Sequence, residues 1–211
     1  MNVLVPFVLT TALLGAGCAS NSLRHYAYQS HVADTIRIEK YGYDASFPRQ
    51  VRLPGKVIVI FIKDQYGVVY EHGEVARRQG FELHNHIASG SEGFETPLTN
   101  PEHGPHRIEY AEARYYSKTY PRPHGGAPMP HAMFFNYQEG LALHGGETYR
   151  PKAMRGRPLG MSHGCVRLPL RMAEIVFTDF YDARMRVIIT WDAETLRRDW
   201  EHGYFMRTAR N

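Results

Sequence analysis

The amino-acid sequence predicts a mainly β domain, and three features of its 211 residues lead to that prediction. Residues 57–62 form a short run of β-branched and apolar side chains, which is typical of a buried strand. A turn at 64–67 leads into a second run at 68–70, and the pair predicts a hairpin. Similar runs, separated by loops rich in proline and glycine, predict further strands at 81–87, 107–111, 132–137, 141–144 and 186–190.

The segments between and after these runs predict three long loops and two helices. Loops at 97–105, 121–130 and 145–161 are long enough to build a binding site. A helix is predicted over 169–180, because apolar residues recur there at helical spacing after Pro169, which suits a first helical turn. A second helix is predicted over 193–206.

Length and composition indicate one domain large enough to be an enzyme, and they argue against a nucleic-acid partner. The chain is 43% hydrophobic and carries a net charge of +4, which is ordinary for a mildly basic globular protein. Its basic residues are scattered rather than clustered, so nucleic acid is not implied. A modest positive field suits an anionic polymer or a phospholipid surface, and equally an ordinary role in solubility.

Histidines are unusually dense in the middle of the chain, which raises the possibility of a metal site. Those concerned are His84, His86, His103, His106 and His124. No cysteine or carboxylate completes a zinc-binding pattern around them. We therefore expect no metal and no other cofactor.

The start of the chain indicates export. Residues 3–16 are apolar but too few to span a membrane, and small residues lead from them to Cys18. This pattern predicts a lipoprotein signal over 1–18, with Cys18 as the lipid-bearing first residue of the mature protein. Cleavage without lipid and a buried N-terminal helix are the alternatives. We expect a periplasmic or cell-envelope protein, anchored to the membrane through Cys18, with a polar tether over 19–50.

The candidate chemistry is concentrated in the run SHGCVRL around Cys165, with His144 upstream. A thiol attacks carbonyls as its thiolate, so it needs a proton acceptor and a positive local field. His144, His163 and Arg167 could supply both. Gly164 would let the backbone turn sharply, so that successive amides point at an oxygen that becomes negative during acyl transfer. The alternative, that Cys165 is an ordinary buried residue of the core, fits poorly with so many polar neighbours.

The other residues of this region have supporting roles in our interpretation. Ser162 is expected to tie the loop down through its hydroxyl. Arg167 could bind a substrate carboxylate with its planar fork, or pair with an Asp or Glu of the chain. Gly145 would offer the substrate backbone contacts. The N-terminus of the predicted helix after Pro169 is expected close behind Cys165, where its dipole would favour the thiolate.

This pattern resembles the L,D-transpeptidases of bacterial cell walls, which have a YkuD-type catalytic domain. Their signature is a histidine, a variable stretch, and then Ser/Thr-His-Gly-Cys followed by an apolar residue. His144 corresponds to the first histidine, residues 145–161 to the stretch, and residues 162–166 to the rest. Two further segments are similar: Thr96-Pro97 with 107–108, and Met129-Pro130 followed by 133–135.

The resemblance covers roughly residues 51–192 and implies an L,D-transpeptidase-like β-sandwich or barrel with one or two short helices after the catalytic motif. Residues 193–211 would then form a C-terminal helical extension. The implied substrate is the stem peptide of peptidoglycan. Cys165, activated by His144, would attack the carbonyl on the L-centre of the third stem residue, release D-alanine and form a thioester.

Three acceptors for the acyl group follow from the resemblance, and the sequence leaves them open. An amine of a neighbouring stem gives a 3-3 cross-link, an amine on an envelope protein gives anchoring, and water gives L,D-carboxypeptidase activity. Two other functions are alternatives. A papain-like Cys/His amidase usually has its cysteine before the histidine, whereas His144 precedes Cys165. A non-catalytic envelope lipoprotein that retains the fold would tolerate Cys165→Ala.

Overall fold

The structure is a computed structural model that describes residues 55–78, 80–120, 125–148 and 162–202. Within these ranges the chain forms mainly strands with two short helices. The strands are β1 (Lys56–Phe61), β2 (Tyr66–Glu71), β3 (Glu74–Val75), β4 (Arg77–Arg78), β5 (Phe81–Glu82), β6 (His84–His86), β7 (His106–Arg107), β8 (Tyr110–Ser117), β9 (Ala127–Asn136), β10 (Leu141–Gly145), β11 (Val166–Leu168) and β12 (Arg186–Thr190). The helices are α1 (Leu170–Ile175), which continues as a π-helical segment (Val176–Phe180), and α2 (Ala193–Glu201).

The larger sheet has the strand order β3-β2-β1-β12-β7, and β6 also pairs with β2. β1 and β2 form the predicted antiparallel hairpin, while β1 and β12 run parallel. Alternate side chains of β1 enter different layers. Ile58 and Ile60 join the main core, whereas Val57 and Val59 pack beneath α2 with Leu196.

The smaller sheet has the order β11-β10-β9-β8, with β10 and β11 parallel. Its inner face contributes Met133, Leu143 and Val166 to the main core, which lies between the two sheets and also contains Met172 of α1. Its outer face carries a separate apolar cluster that includes Ala142. The domain is therefore mainly β with two short helices, as predicted.

Two predicted strands are each divided in the structure. Residues 81–87 form β5 and β6, because Leu83 between them turns into the main core and its amide donates to Ala76. Residues 107–111 form the end of β7 in the larger sheet and the start of β8 in the smaller sheet. Ile108 packs against the main core where the chain crosses between them.

The loop predicted over 121–130 is shorter than expected, because β9 begins at Ala127. Pro128 and Pro130 have no N–H to donate, yet they lie in the strand. This is possible because β10 pairs only with the later part of β9, from Met133 onward, so that the earlier part has β8 as its neighbour.

The two predicted helices are present, with differences in detail. The helix predicted over 169–180 begins at Leu170 and ends in a π-helical segment, where the Tyr181 amide donates to Val176 at 2.8 Å. α2 begins after Asp192, whose carboxylate accepts a hydrogen bond from the Thr195 amide at 2.9 Å. Residues 203–206 of the predicted second helix lie outside the described residues.

Other predictions also lie outside the described residues. These are the lipoprotein signal with Cys18, the tether over 19–50, His124 and most of the loop over 145–161. In the part of the chain that is described, no helix combines the length and apolar character needed to cross a membrane. In the same ranges, no three His, Cys, Asp or Glu side chains are grouped so that they could hold a metal ion.

Candidate active site

The outer face of the smaller sheet brings the predicted catalytic residues together. In the parallel pair β10–β11, Leu143 lies opposite Val166 and His144 opposite Arg167. Side chains alternate between the faces of a strand. Since Leu143 and Val166 point into the main core, His144, Arg167 and the preceding Cys165 lie on the outer face.

Cys165 is partly buried and immediately precedes β11. Its side chain packs against the outer-face cluster of Met129, Ala132, Phe134 and Ala142, and its Sγ–H donates to the Gly140 carbonyl at 3.3 Å. Burial raises the pKa of the thiol, while a hydrogen bond from the Ala142 backbone and the positive charge of Arg167 act in the opposite direction. The resting thiol is therefore protonated and needs a base.

His144 has the protonation state that a base requires. The side chain is 6% exposed, and its Nδ1 lies 3.0 Å from the Gly145 carbonyl oxygen. Because a carbonyl oxygen only accepts, Nδ1 must carry the proton, which leaves Nε2 with a free lone pair in the neutral ring. Burial lowers the pKa of His144 to about 4, and Arg167 adds to that effect, while the Gly145 hydrogen bond opposes it. The imidazole is therefore neutral near pH 7.

Arg167 is the cation that acts on both groups. It is half-buried and forms no ion pair with a carboxylate of the described residues. Its aliphatic stem lies against Gly146, where an added Cβ would come within 3.1 Å of the Arg167 Cδ. Gly146 thus lets the guanidinium approach the strand that carries His144. The Gly145 carbonyl bonds to His144; the contact of Gly145 with substrate stays a prediction.

The turn before Cys165 is fixed by its own backbone and by a neighbouring segment. Gly164 has φ of +99°, and an added Cβ would lie 2.8 Å from a methyl carbon of Leu141, so both conformation and space require glycine. The Ser162 hydroxyl donates to the Cys165 carbonyl, as its predicted tying role requires. The Thr96 hydroxyl donates to the Gly164 carbonyl at 2.8 Å and accepts from the Gly90 amide.

Hydrogen bonds that the sequence did not predict hold the segment containing Gly90 and Thr96 in place. Backbone hydrogen bonds connect this segment to the motif. The Ser162 amide donates to the Ser89 carbonyl, and Arg167 pairs with Ala88. The buried side chain of Gln65 bonds to both the hydroxyl and the amide of Ser89. The β1–β2 turn thereby supports the motif. A buried glutamine within an apolar hairpin is the signal that could have pointed to it.

His163 lies beside the thiol-bearing turn but on the surface. Its ring stacks on Tyr120, with centroids 4.4 Å apart, and meets the edge of Phe94 at 4.6 Å. Phe94 and Tyr120 are 51% and 42% exposed. This position fits a group that orients the loop or contacts substrate.

The backbone amides of the turn are available for the predicted oxyanion site. Within the described residues, the N–H groups of Gly164 and Cys165 donate no hydrogen bond. The predicted contribution of the following helix is wrong. β11 separates Cys165 from α1, and α1 packs into the main core on the other side of the sheet. Its dipole therefore cannot be aimed at the sulfur from behind.

Comparison with known proteins identifies the family of this domain. The sequence profile of the L,D-transpeptidase (YkuD) catalytic domain matches residues 55–189. The chain belongs to the L,D-transpeptidase family. No curated protein is similar enough to the chain to count as a match.

Solved structures of L,D-transpeptidases resemble the domain. One from Stackebrandtia nassauensis is 26% identical, with a TM-score of 0.51, and the alignment covers 73% of this chain and 62% of that one. A Mycobacterium tuberculosis H37Rv enzyme is 20% identical with a TM-score of 0.47, covering 65% and 58%. One from Mycobacterium smegmatis is 22% identical with a TM-score of 0.45, covering 64% and 58%. The chain thus spans about three fifths of these relatives' length.

Proposed function

We propose that the protein is a peptidoglycan L,D-transpeptidase that works through a thioester on Cys165. The thiolate attacks the carbonyl on the L-centre of the third stem-peptide residue, the bond to the terminal D-alanine breaks, and D-alanine leaves with a proton from the imidazolium. An amine or water then attacks the thioester, and the thiolate leaves.

The observation that carries the proposal is the neutral His144 ring on the same sheet face as Cys165, with Nδ1 held by the Gly145 carbonyl. A base with a free Nε2 and a thiol within one small patch form the minimum machinery for acyl transfer. The amides of Gly164 and Cys165, which donate no hydrogen bond within the described residues, would supply donors for the oxyanion. Arg167 supplies the positive field and a carboxylate-binding group.

The acyl acceptor and the location of the protein belong to the same proposal. A stem amine would give a 3-3 cross-link, a protein amine would give anchoring, and water would give a tripeptide. We further propose that the protein is exported and held at the membrane through a lipid on Cys18, which would keep it near its substrate. The possible acceptors and the lipid anchor are both proposed from the sequence.

The test is incubation of the purified protein with disaccharide-tetrapeptide, with and without an amine acceptor, followed by mass spectrometry of the products. We expect cross-linked dimer or tripeptide together with free D-alanine. The chain's two cysteines provide matched variants. Cys165→Ala should abolish all products, whereas Cys18→Ala should not change turnover. Products that persist in Cys165→Ala would overturn the mechanism, and their absence with the wild-type protein would favour a non-catalytic role.

Two further measurements separate the parts of the proposal. A carbapenem should add its mass covalently to the wild-type protein but not to Cys165→Ala, because the adduct forms on the Cys165 sulfur. Cys18→Ala should move the protein from the membrane fraction to the soluble fraction of the host cell. Unchanged membrane association of that variant would defeat the lipid anchor while leaving the catalytic proposal intact.

A further inference from the structure

One face of the larger sheet is buried more completely than its described neighbours explain. This is the outer face of the larger sheet, the side that points away from the main core. β2 presents Tyr66, Val68 and Tyr70 to it, and none of these side chains is more than 2% exposed. The described apolar side chains that pack against this face are those of α2, such as Leu196, and Val75 at the edge of the sheet.

The strand pairing shows how far the buried face extends. Val68 of β2 pairs with Val59 of β1 on one side and with His84 of β6 on the other. Val59 in turn lies opposite Ile188 of β12. Because residues opposite one another point to the same side of a sheet, the face runs across β6, β2, β1 and β12. It is three strand spacings wide, about 14 Å.

α2 covers the β12 side of this face but not the β2 side. The helix follows directly after β12 and packs on that strand. On the edge of β12 away from β1, the Thr99 amide donates to the Ile189 carbonyl at 2.8 Å, and residues 100–102 form a groove with His202 at the end of α2. A helix with its side chains is about 10 Å across, or two strand spacings. α2 therefore spans β12 and β1, and β2 lies outside its width.

The segment before residue 55 is the part of the chain best placed to cover β2. It joins the sheet at Gly55, whose carbonyl accepts a hydrogen bond from the His72 amide at 2.8 Å, just beyond the end of β2. Two residues later, Val57 lies on the buried face opposite Tyr70. The other candidate, residues 203–211, starts from the groove on the far side of β12 and has nine residues against 36 in the segment 19–54.

The sequence of this segment suits an apolar sheet face. It was expected to be a polar tether, yet apolar residues alternate with arginine in the runs 36–38 (Ile-Arg-Ile) and 51–53 (Val-Arg-Leu). In an extended chain, residues two positions apart point to the same side. Each run therefore has one apolar side and one charged side. The apolar side can pack on the valines of β2 while the arginines remain in water.

We propose that residues 19–54 dock on the outer face of the larger sheet and form, beside α2, a layer that covers β2. The inference goes beyond the proposed function, because it assigns a docking surface to a segment outside the catalytic domain. Cys165 is on the outer face of the smaller sheet, across the main core. The docked segment would therefore hold the chain that leads to Cys18 on the side opposite the thiol and leave the catalytic face open to substrate.

The test identifies what lies on this face by photo-crosslinking in the intact full chain. Val75→p-benzoylphenylalanine places a photoreactive ketone at the edge of the face, beside Tyr70. After irradiation and tryptic digestion, mass spectrometry should locate the adduct within residues 19–54 of the same molecule. Tyr116→p-benzoylphenylalanine is the control, since that side chain is 54% exposed on the smaller sheet, and it should give no adduct with this segment. Thermal unfolding midpoints within a few degrees of wild type show that both variants are folded.

Thiol accessibility tests whether the segment is what buries the face. Val68 and Val69 are neighbours on β2, one on the outer face and one in the main core, and both are at most 1% exposed. Each is replaced by cysteine in a chain that carries Cys18→Ala, Cys165→Ala and a protease site after Leu53. In the uncut chain both thiols should react slowly with a maleimide. After cleavage and removal of the segment, Val68→Cys should react at least about tenfold faster, whereas Val69→Cys should change little.

Three outcomes would overturn the inference. An adduct within residues 203–211 would assign the cover to the C-terminal end of the chain. An adduct between two molecules would assign it to a second copy of the protein. A Val68→Cys thiol that stays as protected as Val69→Cys after removal of the segment would show that the face is covered without it. None of these measurements uses the acyl-transfer reaction, so each of these results leaves the proposed function standing, and loss of that function would leave this inference intact.

Discussion

The buried imidazole of His144 couples the stability of the fold to pH, and His144→Gln isolates that contribution. The pKa of His144 lies at about 4 in the folded protein against an ordinary 6.5, chiefly because the ring is buried. Between these pH values the unfolded chain binds a proton that the folded protein does not. The free energy of unfolding must therefore fall as the pH falls from 6.5 toward 4, and it has no such penalty above 6.5.

The size of the effect follows from the two pKa values. Each pH step of one below 6.5 costs about 1.4 kcal/mol of stability, so at pH 4.5 the loss is about 2.5 kcal/mol. Glutamine does not titrate, and the variant should lack this loss whatever its stability at neutral pH. Other titrating groups are common to both proteins, so they cancel in the comparison.

The assay is urea unfolding at pH 7 and pH 4.5, with the free energy in water compared between the two pH values. The wild-type protein should lose about 2.5 kcal/mol more than His144→Gln does. His103→Gln, which replaces an exposed histidine, should retain the wild-type dependence. Parallel pH dependence in the wild-type protein and His144→Gln would refute the neutral buried ring, and with it the assignment of His144 as a ready base.

Three other predictions concern the turn and its charge. Gly164→Ala should lower stability by about 1–3 kcal/mol in thermal unfolding, since φ is positive and the new methyl meets Leu141; an unchanged midpoint would contradict the geometry of the turn. Thr96→Val should lower the free energy of unfolding in urea by about 1–3 kcal/mol, because two buried backbone groups lose their hydrogen bond to the hydroxyl. Thr96→Ser keeps the hydroxyl and should retain most of the wild-type stability. Arg167→Gln should raise the pKa of the Cys165 thiol, which alkylation by iodoacetamide across a pH series would detect as a shift to higher pH; an unshifted profile would show that the guanidinium does not act on the sulfur.

The sequence was most informative where the chemistry is local. Cys165, Gly164 and Ser162 are adjacent in the chain, so their types and order already indicate a tight turn with a nucleophile. His144 lies at the end of a recognisable apolar strand, and the parallel pairing of β10 with β11 explains how residues 21 positions apart in sequence share one face. The hairpin and β12 were predictable for the same reason, since their side-chain patterns are continuous.

The sequence was least informative where distant segments meet. Gln65 and Ser89 support the catalytic turn through hydrogen bonds that only tertiary structure brings into range. The helix dipole was assigned wrongly to Cys165 because closeness in sequence does not specify the side of a sheet on which a helix packs.

The alternation of side chains along β10 also determines which insertions and deletions the protein can tolerate. Hydrophobic Leu143 and reactive His144 are neighbours that face opposite ways, so deletion of a single codon ahead of them would exchange their surroundings. The imidazole would then point into the hydrophobic core, and leucine would replace it on the face that carries the sulfur. Frame-preserving length changes in this strand should therefore be far rarer among functional variants than conservative replacements at the same positions.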